Sequence, residues 1–406
     1  MKNQWFLIIS IIITLIICYF ITFNKKNIDT RKEVTVWTLQ MGDFANYMNN
    51  IISTYEAKNP NIKIKWIDVP FSEGEKRTLA AILSNNPPDL VNLNPDFSSI
   101  LAQKGALEYI PQTKLSEYNQ DIVDSLKYQN NLFAIPWYAT SAVTIYNQEL
   151  FKKSNINMPE TYDDLARHAE SVKKNTGKFI YLPTITENDT MIKILNKYGI
   201  TAQNVNSKES VKIFEQFKTL YQKGLIPAES ITQTHREALE KYMSGNVVFF
   251  QGGANFLNMI QDNAPNIYEL TDVTAQIKGS LGQNDFSLMN FVIPVKAKYK
   301  QEALDFGLYL TNKENQLELA KKTNIISTNK EALEDSFYNS SENLMAKARS
   351  ISAQQLKHIQ PVMRQSNNQK DINTLVNTAV QSILLDKNPT QNILNKLHKD
   401  WNELLK

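Results

Sequence analysis

Side chains that could do covalent or metal chemistry are scarce in this chain. The 406 residues contain one cysteine, Cys18, inside an apolar N-terminal stretch, so the remainder offers no disulfide, thiolate metal site or cysteine nucleophile. The histidines lack the spacing of a paired metal ligand and are interpreted as polar residues on helices: His168, His235, His358 and His398. A Walker loop and a Gly-x-Ser-x-Gly elbow are also missing from the sequence. We therefore expect no cofactor, no metal and no catalytic residue.

Polar and aromatic side chains instead follow the predicted strands. Ligands of open parallel α/β sheets bind beyond the carboxyl ends of strands. Carboxylates and amides form paired hydrogen bonds with sugar hydroxyls, and aromatic rings pack on the C–H face of a sugar. The candidates by this rule are Trp37, Gln40, Asp43, Asn94, Asp96, Trp137, Tyr138, Gln251, Asn255, Asn284, Asp285 and Phe286. This set predicts a ligand-binding cleft.

The residue pattern also constrains how some of these candidates are interpreted. Trp37 lies in an alternating strand and is equally compatible with a core position. Asp43 precedes a helix, and a capping role fits it better than a ligand contact. Trp137 and Tyr138 are adjacent and point to opposite sides of an extended chain, and we expect Trp137 to face the cleft.

The elements that position these residues alternate between strand and helix. Residues 33–39 alternate as a strand, apolar residues from Phe44 to Tyr55 repeat with helical spacing, and residues 62–66 alternate again. A third apolar run, "PPDLVNL", precedes another helix. This order predicts parallel β-α-β units. Farther along, "KFIYLP", "NVVFFQGG" and "FSLMNFVIPV" predict strands, and the chain after Lys300 is mostly helical.

Residues 130–164 predict a thin connection between two packed units. An apolar run leads to Pro136, the small-residue run 139–142 follows, and a second strand continues to Tyr146. Thr161 and Asp164 then have the spacing of a helix-capping box.

This block resembles the first domain crossover of the family 1 extracellular solute-binding proteins, the maltose-binding-protein-like components of carbohydrate ABC importers. The likeness is carried here by Pro136, by Tyr146 with Asn147, and by Pro159, Thr161, Tyr162 and Asp163. Three further blocks occur in family order: "FANYMNNIISTYEAKNPNIKIKWIDV", "NNPPDLVNLNPDFSSILAQKGALEYI" and "YMSGNVVFFQGGANF". The resemblance extends over residues 33–406.

The resemblance implies an α/β fold with two lobes, each a mostly parallel sheet flanked by helices, and three hinge crossings. The expected lobes are residues 33–139 with 291–327, and residues 140–290 with 328–406, after an N-terminal segment 1–32. It implies a non-enzymatic function: a monomer that closes on a sugar or short oligosaccharide outside the cell and delivers it to the permease subunits of an ABC transporter.

The resemblance also bears on individual site residues. Asp96 aligns with a ligand-binding carboxylate of the family, and a plain helix-capping role is the alternative for it. Where many members have Trp after the glycine turn, this chain has Ala254, with Phe256 two residues later. Arg364 occupies a stretch where another aromatic residue is common. Fewer stacking surfaces argue against a long oligosaccharide.

The charge pattern excludes one large class of partner. The chain has 44 basic and 41 acidic residues, a net charge of +3, and no stripe of one sign. Nucleic-acid binding is therefore not expected.

The N-terminal segment predicts membrane attachment. Residues 5–23 carry no charge and are nearly long enough to span a bilayer as a helix. An uncleaved anchor fits better than lipidation at Cys18, because Ile17 replaces the small residue of a lipoprotein signal. The basic residues Lys25, Lys26, Arg31 and Lys32 favour a cytoplasmic domain, whereas the resemblance favours export. We expect the soluble domain on the outer face of the cell membrane.

Two other functions stay open at this level. A surface-anchored glycoside hydrolase would need two carboxylates facing a cleft, and no such pair is marked in the sequence. A solute sensor would deliver its closed form to a receptor instead of a permease. The ligand is also open, and a polyamine held by acidic and aromatic groups is an alternative to a sugar.

Overall fold

The protein, seen here in a computed structural model, is described over residues 29–70, 73–323, 325–356, 368–385 and 388–405. Its strands are β1 (Lys32–Leu39), β2 (Ile62–Val69), β3 (Leu90–Leu93), β4 (Lys127–Tyr128), β5 (Asn131–Leu132), β6 (Ile135–Thr140), β7 (Ala142–Asn147), β8 (Phe249–Gly253), β9 (Thr271–Ala275), β10 (Ser287–Val292) and β11 (Ile326–Ser327). The α-helices are α1 (Ala45–Lys58), α2 (Gly74–Leu83), α3 (Pro95–Gln103), α4 (Gln120–Ser125), α5 (Gln148–Ser154), α6 (Tyr162–Thr176), α7 (Thr190–Asn196), α8 (Lys208–Gln222), α9 (His235–Met243), α10 (Phe256–Asn263), α11 (Pro265–Tyr268), α12 (Lys300–Leu310), α13 (Lys313–Thr323), α14 (Lys330–Leu333), α15 (Leu344–Gln355), α16 (Gln369–Leu385) and α17 (Thr390–Leu404).

The first sheet has six strands in the order β11-β6-β10-β3-β1-β2. β1 pairs in parallel with β2 and β3, while β10 runs antiparallel to β3 and β6. The carboxyl ends of β1, β3 and β6 therefore lie at the same edge as the amino end of β10. That edge is where the sequence places most of its candidate ligand residues.

The second sheet has the order β8-β7-β9, and both of its pairings are antiparallel. The two-lobed α/β class is confirmed, but the first sheet is mixed and the second is antiparallel, so neither is mostly parallel as expected. The pairings of the second sheet are antiparallel because β7 runs away from the crossing at Ser141, whereas β8 and β9 both run toward that crossing. The predicted strand "KFIYLP" contributes a single parallel bridge, Phe179 to Val247.

The chain passes between the two sheets at three places. Ser141 alone separates β6 from β7, residues 276–286 connect β9 to β10, and the segment after β11 leads to α15, which packs on β7 and β9. Within that last segment, Leu333, Phe337 and Tyr338 still pack in the first core. The first-lobe contacts thus continue beyond residue 327, where we expected the boundary; the exact lobe limits stay a prediction.

Each sheet has its own hydrophobic core. The first core includes Val36, Leu90, Ile135, Phe291 and Phe306. The second lobe contains two clusters, one below α6, α8, α16 and α17 and one around β7, β8 and α9. Separate cores with thin connections allow the lobes to move as units.

Local capping confirms the predicted helix starts in the second lobe. Thr161 Oγ1 accepts from the Asp164 backbone at 3.1 Å, and the Asp164 carboxylate accepts from the Thr161 backbone at 3.0 Å. Thr234 and Glu237 form a second capping box. The predicted membrane segment, residues 5–23 with Cys18, lies outside the described residues. Of the described helices, none is long and apolar enough to cross a membrane.

Candidate functional site

The candidate site lies where the edges of the two sheets face each other. In the first lobe the edge consists of the residues that follow β1 and β3 and the end of β6. In the second lobe β8 and β9 both end near Ala142 and Val143, because their last residues pair with the start of β7. By the strand-end rule, these edges beside the crossings are the candidate positions for ligand-binding residues of both lobes.

Asp96 is the acidic side chain of the first edge. It lies in the first turn of α3, is half-buried, and has no hydrogen bond or ion pair among the described residues. Burial raises the pKa of its carboxyl to about 6, and the charges of Asp189 and Glu75 raise it further while Lys193 lowers it. Asp189 and Lys193 belong to the second lobe, so Asp96 senses charges across the cleft.

Asn94 and Gln40 frame this carboxyl at the strand ends. Asn94 caps α3 by accepting from the Phe97 backbone at 2.9 Å, and its amide donates to Glu75 at 2.9 Å. Gln40 is exposed and adopts φ 54°, a left-handed conformation that is uncommon for a residue other than glycine. Strained backbone of this kind concentrates at functional sites.

The aromatic pair at the end of β6 is not oriented as we expected. Trp137 is fully buried and packs on Phe291 with ring centroids 4.6 Å apart. Tyr138 is half-buried, and desolvation raises its pKa to about 12. Our preference for Trp137 is therefore corrected: the register pairs Phe291 with Ile135, two residues before Trp137, and places the indole in the core. Tyr138 is the more exposed ring of the two.

Trp37 also belongs to the core layer. It is partly exposed, pairs with Val91 across the strands, and packs against the first core. Its indole nitrogen has no hydrogen-bond partner within the described part of the chain. Of the two explanations left open by the sequence, the core position fits its contacts better.

Asp285 forms the main ion pair at the crossings. Its Oδ2 lies 2.9 Å from the ammonium of Lys197, whose side chain is 2 % exposed while that of Asp285 is 32 % exposed. Desolvation lowers the pKa of Lys197, and the Asp285 charge opposes that shift. Sequence reasoning missed Lys197. The available signal was a lysine one turn after Lys193 in an otherwise apolar helix, "TMIKILNKYG".

Tyr162 and Gln251 join the same polar group. Burial raises the pKa of the Tyr162 hydroxyl and the Asp285 charge raises it further, while the Gln251 side chain lowers it. Tyr162 was noted only as part of the helix-opening turn. A second ion pair, Asp189 with Lys193 at 3.1 Å, lies on α7 toward Asp96. Sequence reasoning did not select either partner, because isolated charges on a helix are ordinary surface features.

The remaining candidates lie at the margins of this region. Asn255 is exposed and lines a small pocket of about 70 Å³ between the lobes, with Thr140, Ser141, Ala254, Thr323, Ile325, Ile326 and Ser352. Phe286 is half-buried against the first core, and Asn284 is buried and donates to the Gln355 carbonyl. The Asp43 side chain and Arg364 lie outside the described part of the chain.

The sequence comparisons identify relatives that bind solutes. The model of the family described as "bacterial extracellular solute-binding protein" matches residues 50–346. A multiple sugar-binding protein of Streptococcus mutans is 25 % identical over 156 residues, which are 37 % of each chain. A mannitol-binding protein of Pseudomonas aeruginosa is 25 % identical over 152 residues, 35 % of this chain and 34 % of the relative. The matched stretch thus spans little more than a third of these relatives.

The structural comparisons extend over both lobes. A proposed oligosaccharide periplasmic-binding protein from Synechococcus sp. MITs9220 superposes with a TM-score of 0.83 and 25 % identity, over 91 % of this chain and 98 % of the other. The sugar-binding protein MalE of Xanthomonas citri has a TM-score of 0.79 at 17 % identity, over 92 % and 97 %. The second likeness supports the fold alone. Because the family model matches most of this chain, residues 50–346, the chain belongs to the bacterial extracellular solute-binding proteins.

Proposed function

We propose that this protein captures a neutral sugar or short oligosaccharide outside the cell and delivers it to the permease subunits of an ABC importer. The observation that supports the proposal is that polar residues follow strand ends of both lobes beside the crossings. Asp96 and Gln40 contribute from one side, and Gln251 and Asp285 from the other. Closure of the lobes would surround a solute with hydrogen-bonding groups that are too far apart when open.

The charge state of these groups favours a neutral polyol over a polyamine. The second-lobe carboxylates Asp285 and Asp189 are each paired with a lysine. Asp96, whose pKa burial raises to about 6, lacks an ion pair among the described residues but supplies a single negative charge, whereas a polyamine carries several positive charges. A polyamine site needs ionised carboxylates that lack cationic partners. Hydroxyl groups, in contrast, hydrogen-bond to carboxyls in either protonation state.

A thermal-shift screen of the full-length protein tests the solute class. The probes are maltotriose, diacetylchitobiose and mannitol, with spermidine as the cationic comparison. We expect at least one sugar to raise the melting temperature, because a ligand that binds only the folded state stabilises it. A shift with spermidine alone would refute the sugar assignment. Release of cleaved sugar during incubation would support a glycoside hydrolase instead.

We further propose that residues 5–23 hold the protein at the membrane as a monomer with its lobes outside. The argument is the uncharged length of the segment and the extracellular character of the family. Protease added to intact cells should remove the soluble domain, and Cys18→Ser should stay membrane-bound. Release of Cys18→Ser into the medium would indicate a lipid anchor. Protection from external protease would place the domain inside the cell and contradict the importer role.

A further inference from the structure

A buried lysine connects the cleft to the crossings between the lobes. Lys197 is 1 % exposed. Its ammonium donates to Gln276 Oε1 at 3.0 Å and to the Ile277 carbonyl at 2.7 Å, and lies 2.9 Å from Asp285 Oδ2. Three oxygen acceptors therefore surround one charge that water cannot reach.

Gln276 extends this group to the first crossing. Its amide nitrogen donates to Ser141 Oγ and to the Asp285 carbonyl, both at 3.0 Å, and its oxygen accepts from the Asp285 backbone at 2.9 Å. Ser141 is the single residue between β6 and β7. The first crossing and the second crossing, 276–286, are thus joined by side-chain hydrogen bonds and not only by the covalent chain.

Gln355, at the end of α15, joins the third passage to the same network. Its amide nitrogen donates to Ser141 Oγ at 3.0 Å and to the Ala142 carbonyl at 2.8 Å, while its oxygen accepts from the Gln276 backbone at 2.7 Å. Buried polar networks of this kind keep a single geometry because each broken bond leaves an unsatisfied group. A change at Asp285 would therefore affect all three passages.

Asp285 is the member of the network that can meet a solute. Its Oδ2 forms the ion pair with Lys197, and its side chain is 32 % exposed. Its Oδ1 has no hydrogen bond among the described residues. Packing does not explain the lysine, because burial of an ammonium costs several kcal/mol before its partners offset it. A methionine of similar length could occupy the same space without that cost.

We propose that Lys197 is a positioning residue, which fixes the Asp285 carboxylate toward the solute and couples it to the relative orientation of the two lobes. The part that concerns the solute rests on the proposed function. A solute that binds Oδ1 holds Asp285 in place. Lys197 and Gln276 then hold the first crossing at Ser141 and the second crossing, 276–286, together with Asp285. The closed orientation of the lobes is thereby favoured.

The test combines lobe distances with sugar affinity. Spin labels are placed at Leu83→Cys, 72 % exposed in the first lobe, and at the exposed Lys174→Cys in the second, in a full-length Cys18→Ser background. The variants are Lys197→Met, Lys197→Gln as a milder change, Asp285→Asn and the double variant Lys197→Met/Asp285→Asn. Lys223→Met is the matched control, because Lys223 pairs with Glu170 on the surface of the same lobe. Affinity is measured with maltotriose, diacetylchitobiose and mannitol.

We expect Lys197→Met to broaden the distance distribution without sugar and to lower affinity at least tenfold, while Lys223→Met matches the parent. In the Asp285→Asn background, Lys197→Met should lower affinity less than twofold further. Equal losses in both backgrounds would overturn the proposal, as would a lower melting temperature with unchanged distances. If none of the three sugars binds the parent, the sugar assignment fails separately, and the distance distributions alone decide whether Lys197 controls the lobes.

Discussion

The two edges of the cleft differ in whether their carboxylates are paired with a lysine. In the second lobe and at the crossings, Asp285 and Asp189 are neutralised by Lys197 and Lys193. At the first edge, Asp96 has no ion pair among the described residues, and its pKa is raised to about 6. One side therefore has fixed geometry and compensated charge, whereas the other has a carboxyl whose hydrogen-bonding capacity is unused. A solute that first contacts Asp96 would then meet a prearranged second surface.

The largest expected effect concerns the aromatic pair of the first edge. Trp137→Ala should lower the free energy of unfolding by about 3–5 kcal/mol, because it removes a fully buried indole and leaves a cavity. Tyr138→Ala, at a half-buried position, is the matched comparison and should destabilise less. Urea unfolding measures both. If Trp137→Ala is nearly as stable as the parent but no longer binds sugar, Trp137 is a ligand contact and not a core residue.

The next effect separates a carboxylate paired with a buried lysine from one paired with an exposed lysine. Asp285→Asn should lower the free energy of unfolding by about 2 kcal/mol at pH 7, because it leaves the buried Lys197 ammonium with neutral acceptors only. Asp189→Asn disrupts a pair whose lysine is 51 % exposed and should cost less than about 1 kcal/mol. Urea titration at pH 7 compares them. Equal losses would mean that burial of the lysine does not set the difference.

Much of this arrangement follows from sequence and some of it could not. The succession of strands and helices along the chain, the capping boxes and the crossover near Ser141 follow from local patterns of two and 3.6 residues and from short-range capping. The orientation of Trp137 does not, since alternation shows that Trp137 and Tyr138 face opposite sides but not which side is covered. That depends on Phe291, which is far away in sequence.

The same limit applies to the ion pairs. Asp285 was selected because it precedes a strand, but its partner Lys197 comes from a different segment, and only the tertiary fold brings them to 2.9 Å. The compensation of charge at one edge, and its absence at the other, is a property of pairs distant in sequence. Single residues can be proposed from a sequence, whereas their partners depend on packing.

A third prediction tests which edge contributes more to binding. Asp96→Ala should weaken sugar affinity about 25-fold, roughly 2 kcal/mol, because a partly desolvated carboxyl loses its hydrogen bonds to solute. Titration calorimetry with the sugar that gives the largest thermal shift measures it. Asp305→Ala, at an exposed position of the same lobe, is the control. If Asp96→Ala binds like the parent, the unpaired carboxyl is not a ligand contact and the second edge alone defines the site.

The smallest effect follows from the raised pKa of Asp96. Its value is about 6 in the folded protein against an ordinary 3.8, so between these pH values the folded state binds more protons than the unfolded state. The contribution of this group to stability therefore falls as pH rises from about 4 to about 6, and stays low above that. Asp96→Asn removes the ionised form. Its free energy of unfolding should exceed that of the parent by about 1 kcal/mol at pH 7, a value reduced for solvent screening of a partly exposed group. The difference should shrink toward zero as the pH approaches 4, in urea titrations at both pH values.

The control is Asp121→Asn, which changes an exposed aspartate in the first turn of α4 and should show no such gain in stability. A parent and an Asp96→Asn variant with equal stability at pH 7 and pH 4 would show that the Asp96 carboxylate is as well solvated as one on the surface, and the contrast between the two edges would then rest on geometry alone.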